Sequence, residues 1–378
     1  MLTRPSPMHP PEPELGWIAT VEDLARGFAG HAAEYDRTGE LPIDNLRALN
    51  ECGLDLAVLP RDRGGQDLSY RTVGRIIGIL AKAEPSTAAL WLMHIGAAHA
   101  LVTLAGDEAS VFFAGELASG KRFANALSEP TSGNMFLLPQ QVATPTPGGF
   151  VLDGAKRFVS GCEIADYYLL NALVDGSPAF FGVPRDPSIT FVPIWETMGM
   201  RATRSQLVSL DQTVLQHRYL CSAPSAEQLN LISGGLPFLS LGIAEAAVDA
   251  FTSHAQGRFL PATGTTLSAV PWLKSAAAEL YVALRGATLL AEQAMWLADQ
   301  RSAEAGPVAL EAKLSANEVA KKAAALGVKA GGASGYLNSS PIQRHFRDAQ
   351  AGALMAYSVE VASDVIGGWV LDEPVGRR

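Results

Sequence analysis

Between residues 123 and 214 a proline or glycine interrupts the chain every few positions, at Pro130, Gly133, Pro145, Gly148, Gly149, Gly154, Gly161, Gly176 and Pro178. A segment punctuated this way cannot hold a long helix, because an interior glycine costs about 1 kcal/mol and a proline about 3 kcal/mol relative to alanine. Between the breakers lie short strand-like runs at 150–152, 167–173, 179–183 and 207–210. Short strands with frequent turns predict an antiparallel sheet or barrel. On both sides the pattern changes to helical. Leu46, Leu49 and Leu54 share a helix-like spacing that ends at Gly53 and the breaker 60–65 (PRDRGG). Helices are expected at about 69–83 and 88–106. After the β segment, Leu280, Leu284, Ala287, Ala291 and Ala294 keep one face apolar, and Leu310, Leu314 and Ala324 continue the pattern until the glycines at 331–335 stop it. A last helix is expected over 342–366. The class is α+β in three parts: a helical region at 1–122, a β domain at 123–228 and a helical bundle at 229–378.

Composition narrows the partners. Hydrophobic residues are 48% of the 378 and charged residues 18%, with a net charge of −9. Without a basic run, the chain lacks the positive field that a nucleic-acid binder needs. A charge fraction below the usual quarter suggests surface covered by other subunits, hence a homodimer or homotetramer. Cys52, Cys162 and Cys221 are odd in number and far apart, which offers neither a disulfide framework nor a CxxC metal site. The proline-rich first twenty residues contain no apolar stretch and do not read as a signal peptide. The apolar runs at 88–106 and 229–251 are interrupted by His94 and His99, and by Gly234, Gly235, Pro237 and Glu245, so they read as buried helices rather than membrane spans. A cytoplasmic location is the expectation.

The chain has no GxGxxG, GxxxxGK[ST], HExxH or GxSxG pattern, and His94 and His99 are spaced for different helix faces rather than for a metal. No metal site is expected. Difficult chemistry would therefore need a cofactor held by backbone groups and a few hydroxyls. Two segments suit that role. One is 125–134 (NALSEPTSGN). The other is 156–162 (KRFVSGC), where Phe158 and Ser160 fall two residues apart on one face of a strand, able to stack on and hydrogen-bond a planar heterocycle.

Five fragments, in order, resemble the acyl-CoA dehydrogenase superfamily of flavoproteins. Residues 41–65 look like its N-terminal helical region, and FANALSEPTSGN (123–134) is similar to its T-E-P-x-x-G-S loop, with Ser128 for threonine and Asn134 for serine. Residues 150–170 resemble its strand pair, 195–210 its G-x-R-x-T-x-S strand, and 329–349 its glycine turn and R-D helix start. The resemblance implies an all-helical N-terminal domain, a middle β-barrel or sandwich and a C-terminal four-helix bundle. It implies FAD, or alternatively reduced FMN or FADH2 supplied by a flavin reductase. By the same resemblance Leu127, Ser128, Gly133 and Asn134 would meet the flavin ring, with Phe158 against it and Ser160 near N5. Arg258 would reach the pyrophosphate across a dimer interface, while Lys329, Gly331 and Gly332 would face the neighbouring subunit's adenosine half, and Ser358 joins the cofactor residues.

Within this family a carboxylate removes the α-proton of an acyl thioester while hydride passes to flavin N5. The resemblance puts that Glu eight residues after the R-D aspartate. Counting from Asp348 reaches Ala356, followed by Tyr357 and Ser358. The family's alternative position falls near Ile232. Glu360, one helical turn beyond Ala356, and Glu245, in the apolar run, are the candidate displaced bases; a solvated Glu360 and an ion-paired Glu245 are the structural readings of the same residues. Three functions remain open. The first is α,β-dehydrogenation of an acyl-CoA or carrier-bound thioester, with an electron-transfer flavoprotein as possible partner. The second is a two-component flavin monooxygenase acting on a small molecule, for which His94, His99 and His345 are the candidate histidines. The third is a catalytically inactive flavin-binding member.

Overall fold

The computed structural model describes residues 6–131 and 136–372. The N-terminal part contains α1 (Leu15–Thr38), α2 (Ile43–Glu51), α3 (Leu54–Ala57), α4 (Tyr70–Ala83), α5 (Pro85–Leu104) and α6 (Asp107–Ala118). Local chemistry sets their starts. The Ser69 side chain accepts from the Thr72 N–H at the start of α4, and the Glu84 carboxylate caps α5 through the N–H groups of Ser86 and Thr87, with Pro85 at the first helical position.

Eight strands follow: β1 (Phe123–Ala126), β2 (Thr144–Thr146), β3 (Gly149–Val159), β4 (Tyr167–Val174), β5 (Ser177–Pro184), β6 (Ile189–Val192), β7 (Gln206–Gln216) and β8 (Leu220–Cys221). They form two four-stranded sheets, ordered β1-β4-β5-β8 and β2-β3-β7-β6. Leu152, Val159, Tyr168, Leu170, Phe181, Val208 and Leu215 fill the core between them. The expected antiparallel pattern holds except at β1, which pairs parallel with β4. Its connection to β4 runs through the second sheet, so no tight turn constrains its direction.

The C-terminal part begins with α7 (Leu231–Gly257), followed by the small hairpin β9 (Phe259–Leu260) and β10 (Thr265–Thr266), and then α8 (Pro271–Asp299) and α9 (Ala305–Gly335). The glycine run expected to stop the helix at 331–335 instead breaks it at Gly332 alone (φ 51°, ψ −141°), where only glycine adopts the conformation without strain. The single last helix expected over 342–366 is three pieces: α10 (Pro341–Asp348), α11 (Ala351–Leu354) and α12 (Val359–Leu371). Met355 is extended, Tyr357 takes a left-handed φ of 54° and Ser358 caps α12, so the bundle's fourth element is bent around a turn at 355–358.

α5 and α7 are long and apolar enough to cross a membrane, but 78% and 83% of their most apolar windows are buried inside the protein. One continuous core joins the two helical parts, with Ile76, Ile77 and Leu80 of α4, Trp91 and Leu92 of α5, Leu239 and Ile243 of α7 and Ala316 and Ala320 of α9. Close approach makes this possible: a Cβ on Gly242 would stand 2.4 Å from the Gly78 carbonyl oxygen. Polar ties add register. Buried Asp55 accepts from Trp91 Nε1 (2.9 Å) and Arg122 (3.1 Å), and His94, bonded to Asp55, receives the Phe123 N–H on Nδ1 at 2.9 Å, which fixes its tautomer with the proton on Nε2. Arg347 pairs with Asp36, and Asp348 accepts the Met200 N–H at 2.8 Å. All three parts meet there.

Candidate active site

Elsewhere the three parts enclose a cavity of about 960 Å³. α5 contributes His99 and Thr103, the β domain Leu127 and Leu169, α7 Leu231, Ser233 and Leu236, α9 Leu310 and Lys313, and the 355–358 turn Ala356 and Tyr357. Ala356 thus stands on the wall. Ile232 is buried, and a Cβ on Gly96 would come within 2.3 Å of its side chain, so it serves as packing between α7 and α5. Among the described residues, the carboxylates on the wall are Glu14, Asp67 and Asp299. Glu14 accepts from the Ser69 backbone N–H and hydroxyl and from the Thr72 hydroxyl. Asp299 accepts from the Tyr70 N–H at 2.6 Å and pairs with Arg71. Asp67 is exposed. Two of the three are therefore committed to holding the start of α4.

Other cavity groups carry perturbed protonation. Burial lowers the pKa of His99 to about 4, which makes it a neutral imidazole at neutral pH, and its ring meets Tyr70 edge-on at 6.5 Å. Burial raises Tyr70 to about 12, and its hydroxyl donates to the Leu229 carbonyl at 3.0 Å. Lys313 is buried, and burial lowers its pKa to about 8. Its ammonium donates to the carbonyls of Gly352 (3.2 Å) and Tyr357 (2.8 Å).

Adjoining the cavity through Leu127 is a second surface. The segment after β1 is fastened to β3: the Arg157 N–H donates to the Ser128 carbonyl (2.8 Å), and the Arg157 guanidinium donates to the Pro130 carbonyl (2.9 Å). Beneath it lies a buried ion pair, Lys156 Nζ to Glu129 Oε1 at 2.7 Å. Lys156 also donates to the carbonyl and side-chain oxygens of Asn171. Phe158, at the end of β3, is 53% exposed, with the Arg157 guanidinium 5.3 Å from its ring centroid and Trp195 at 5.8 Å. Ser160 is hydrogen-bonded to Ser205 at 2.8 Å, and Ser205 to Thr203 at 2.9 Å. Two residues before Leu127, Asn125 carries a buried side-chain oxygen without a partner. An open aromatic ring, a hydroxyl relay and an orphaned acceptor fit a flat heterocycle with hydrogen-bonding edges, as a flavin ring would present.

The structure thus brings Leu127, Ser128, Phe158 and Ser160 together. Gly133 and Asn134 lie outside the described residues. Ser358 caps α12 through the Val361 N–H. Arg258 is exposed just after α7, and exposed Lys329 stands 4.8 Å over the Trp272 ring, three residues before the break at Gly332 and two before buried Gly331. None of these five lines the cavity. Neither does either candidate base. Glu360 is exposed at the start of α12, its pKa lowered by its own backbone N–H and by Ser358. Glu245 lies 3.6 Å from Lys82 and borders a separate cavity of about 470 Å³. His94 and His345 are buried off the wall. Sequence reading missed Lys313, whose signal was a lysine on the buried stripe of α9 between Ala309, Ala312 and Ala316. Among the described residues no cluster of His, Cys, Asp and Glu could hold a metal.

Family models for the N-terminal, middle and C-terminal domains of acyl-CoA dehydrogenase match residues 16–121, 124–213 and 235–358. The chain belongs to the acyl-CoA dehydrogenase family, a family of flavin-dependent oxidoreductases. It is 26% identical over 349 residues to a probable acyl-CoA dehydrogenase, YngJ, of Bacillus subtilis, covering 87% of this chain and 90% of that one. Its fold superposes on butyryl-CoA dehydrogenase from Megasphaera elsdenii with a TM-score of 0.88 at 20% identity, over 96% of this chain and 98% of the other. It also superposes on TdsC from Paenibacillus sp. A11-2 in complex with FMN and indole, with a TM-score of 0.84 at 23% identity, over 95% and 98%. TdsC is a dibenzothiophene monooxygenase.

Proposed function

We propose that this protein is a flavin-dependent monooxygenase acting on a small molecule, supplied with reduced FMN or FADH2 by a separate reductase. The observation that carries this reading is Ala356 on the cavity wall. α-Proton abstraction from a thioester needs a carboxylate aimed at the substrate. Ala356 and Ile232 cannot supply one, Glu360 and Glu245 lie off the wall, Glu14 and Asp299 are committed to α4, and Asp67, the third wall carboxylate among the described residues, is exposed to water. Oxygen transfer has no such requirement.

Reduced flavin, when bound, supplies the two electrons with which O2 delivers one oxygen atom to substrate and the other to water. The chain's own residues do the rest. Phe158, Ser160, Ser128 and Asn125 would hold the ring. Leu127, Leu169, Leu236 and Leu310 exclude water from the substrate. His99, held neutral by burial, can accept a hydrogen bond from a substrate hydroxyl, thiol or amine at a ring nitrogen. Exposed Tyr281, Val282 and Leu289 along α8 support a homo-oligomer.

Likeness to acyl-CoA dehydrogenases in sequence favours a second reading, thioester dehydrogenation by bound FAD. Two assays separate them. The monooxygenase consumes O2 and oxygenates substrate only with a reductase and NAD(P)H present, and acyl-CoA thioesters do not bleach its flavin anaerobically. Bleaching by any acyl-CoA would overturn the proposal.

A further inference from the structure

Lys313 is a charge that the fold buries without a counter-charge among the described residues. Its side chain is 3% exposed and lines the 960 Å³ cavity. Two of its three N–H donors go to the Gly352 and Tyr357 carbonyls, and no ion pair among the described residues includes it. The neighbouring turn needs little more holding: Asn317, one turn further along α9, also donates to the Gly352 carbonyl at 3.0 Å, and Ser240 donates to Asn317 at 2.8 Å. A buried ammonium with one donor uncommitted is costly unless something occupies that donor. Of the other cavity-lining charges, Arg71 pairs with Asp299 and Glu14 is held by Ser69 and Thr72, while Asp67 and Arg301 are exposed to water, so Lys313 is the buried one without a counter-charge among the described residues. Ala356 is adjacent in sequence to the Tyr357 carbonyl that Lys313 holds, so a substrate reaching that turn meets a cation where the family's carboxylate would stand.

We propose that Lys313 binds an anionic oxygen of the substrate, so that the cavity selects small molecules carrying a carboxylate or phenolate. This rests on the cavity being the substrate site and specifies which molecules it takes. The inference concerns recognition only, with no bond made or broken by Lys313.

The test is isothermal titration of the flavin-reconstituted full-length protein with two matched pairs, benzoate against benzamide and hexanoate against hexanamide. Wild type should bind each carboxylate more tightly than its amide. Lys313→Met should weaken carboxylate binding about 10- to 100-fold while leaving amide binding within about threefold, the range expected for one charge-assisted hydrogen bond. Lys313→Arg should keep the preference. Ala356→Glu places an intramolecular carboxylate beside the ammonium and should abolish the preference while amides still bind, which keeps the test decisive if Lys313→Met does not fold. Amides bound as tightly as carboxylates by wild type, equal weakening of both by Lys313→Met, or no binding of either carboxylate would each overturn the inference. Failure of reductase-coupled O2 consumption bears instead on the monooxygenase reading and leaves a measured charge preference standing.

Discussion

Substituting Glu129 by Gln tests how the ring-facing segment is held. The ion pair with Lys156 is wholly buried, and the Glu129 carboxylate also accepts the N–H groups of Gln140 (2.9 Å) and Gln141 (3.2 Å). A carboxamide has one oxygen, so its NH2 must oppose either the Lys156 ammonium or those backbone donors. The variant thus strands a buried cation as well as losing a hydrogen bond. Breaking a buried pair on one side costs about 3–5 kcal/mol. With about 2.1 cal/mol/K of unfolding entropy per residue, that lowers the melting temperature of a 378-residue cooperative unit by about 4–6 °C. Adding Lys156→Met removes the stranded charge and should recover about 2 kcal/mol or more, a coupling that two independent losses cannot give. Calorimetry of the three variants measures stability, and fluorescence titration with FMN measures the ring site, where Glu129→Gln should weaken binding because the Leu127–Ser128 segment loses its anchor. A single-variant loss below about 1 kcal/mol, or a double variant no more stable than the worse single one, refutes the reasoning.

Four further outcomes follow from the geometry. Ala356→Glu should introduce anaerobic flavin bleaching by acyl-CoA thioesters if the cavity still admits them, followed through the flavin's visible absorbance; unchanged absorbance across short, medium and long chains would mean that more than the base has been lost. Gly352→Ala should destabilise by about 2 kcal/mol or more, since a Cβ there would stand 2.5 Å from Ser240 Oγ and 2.7 Å from Asn317 Oδ1, and urea denaturation reads it. Burial raises the Asp348 pKa from 3.8 to about 7 in the fold, so its contribution to stability is full below its unfolded pKa and is lost as pH rises through about 7. The wild-type melting temperature should therefore fall more steeply between about pH 5 and pH 8 than that of Asp348→Asn, and parallel profiles would contradict this. Asp55→Asn leaves Arg122 buried without its carboxylate and should cost about 3 kcal/mol, measured by the same denaturation.

Local patterns carried much of the architecture. Glycine and proline spacing marked the β segment, and Ser69 and Gly53 marked helix ends, because each acts within a few residues of itself. The parallel pairing of β1 with β4 and the bend at 355–358 were not legible. The first is a tertiary choice, and in the second a tyrosine takes a left-handed φ held from outside by Lys313. For the site, Phe158 and Ser160 stood out through strand alternation, and Ala356 through its distance from Asp348. Glu129–Lys156 and Lys313 did not, because a charged residue in sequence carries no mark of whether its surroundings are water or core. Glu245 and Glu360 illustrate the converse: position in an apolar run or on a shared helix face says nothing about a partner such as Lys82 or a cap such as Ser358.

The central claim is that the chemistry in this cavity proceeds without a thioester base. Anaerobic titration of the FAD-reconstituted protein with butyryl-, octanoyl- and palmitoyl-CoA, watched through the flavin absorbance, tests it most directly. The account predicts that the oxidised spectrum persists with all three, while reduced flavin binds the same protein more tightly than oxidised flavin. Stoichiometric bleaching by any one of the thioesters would contradict it.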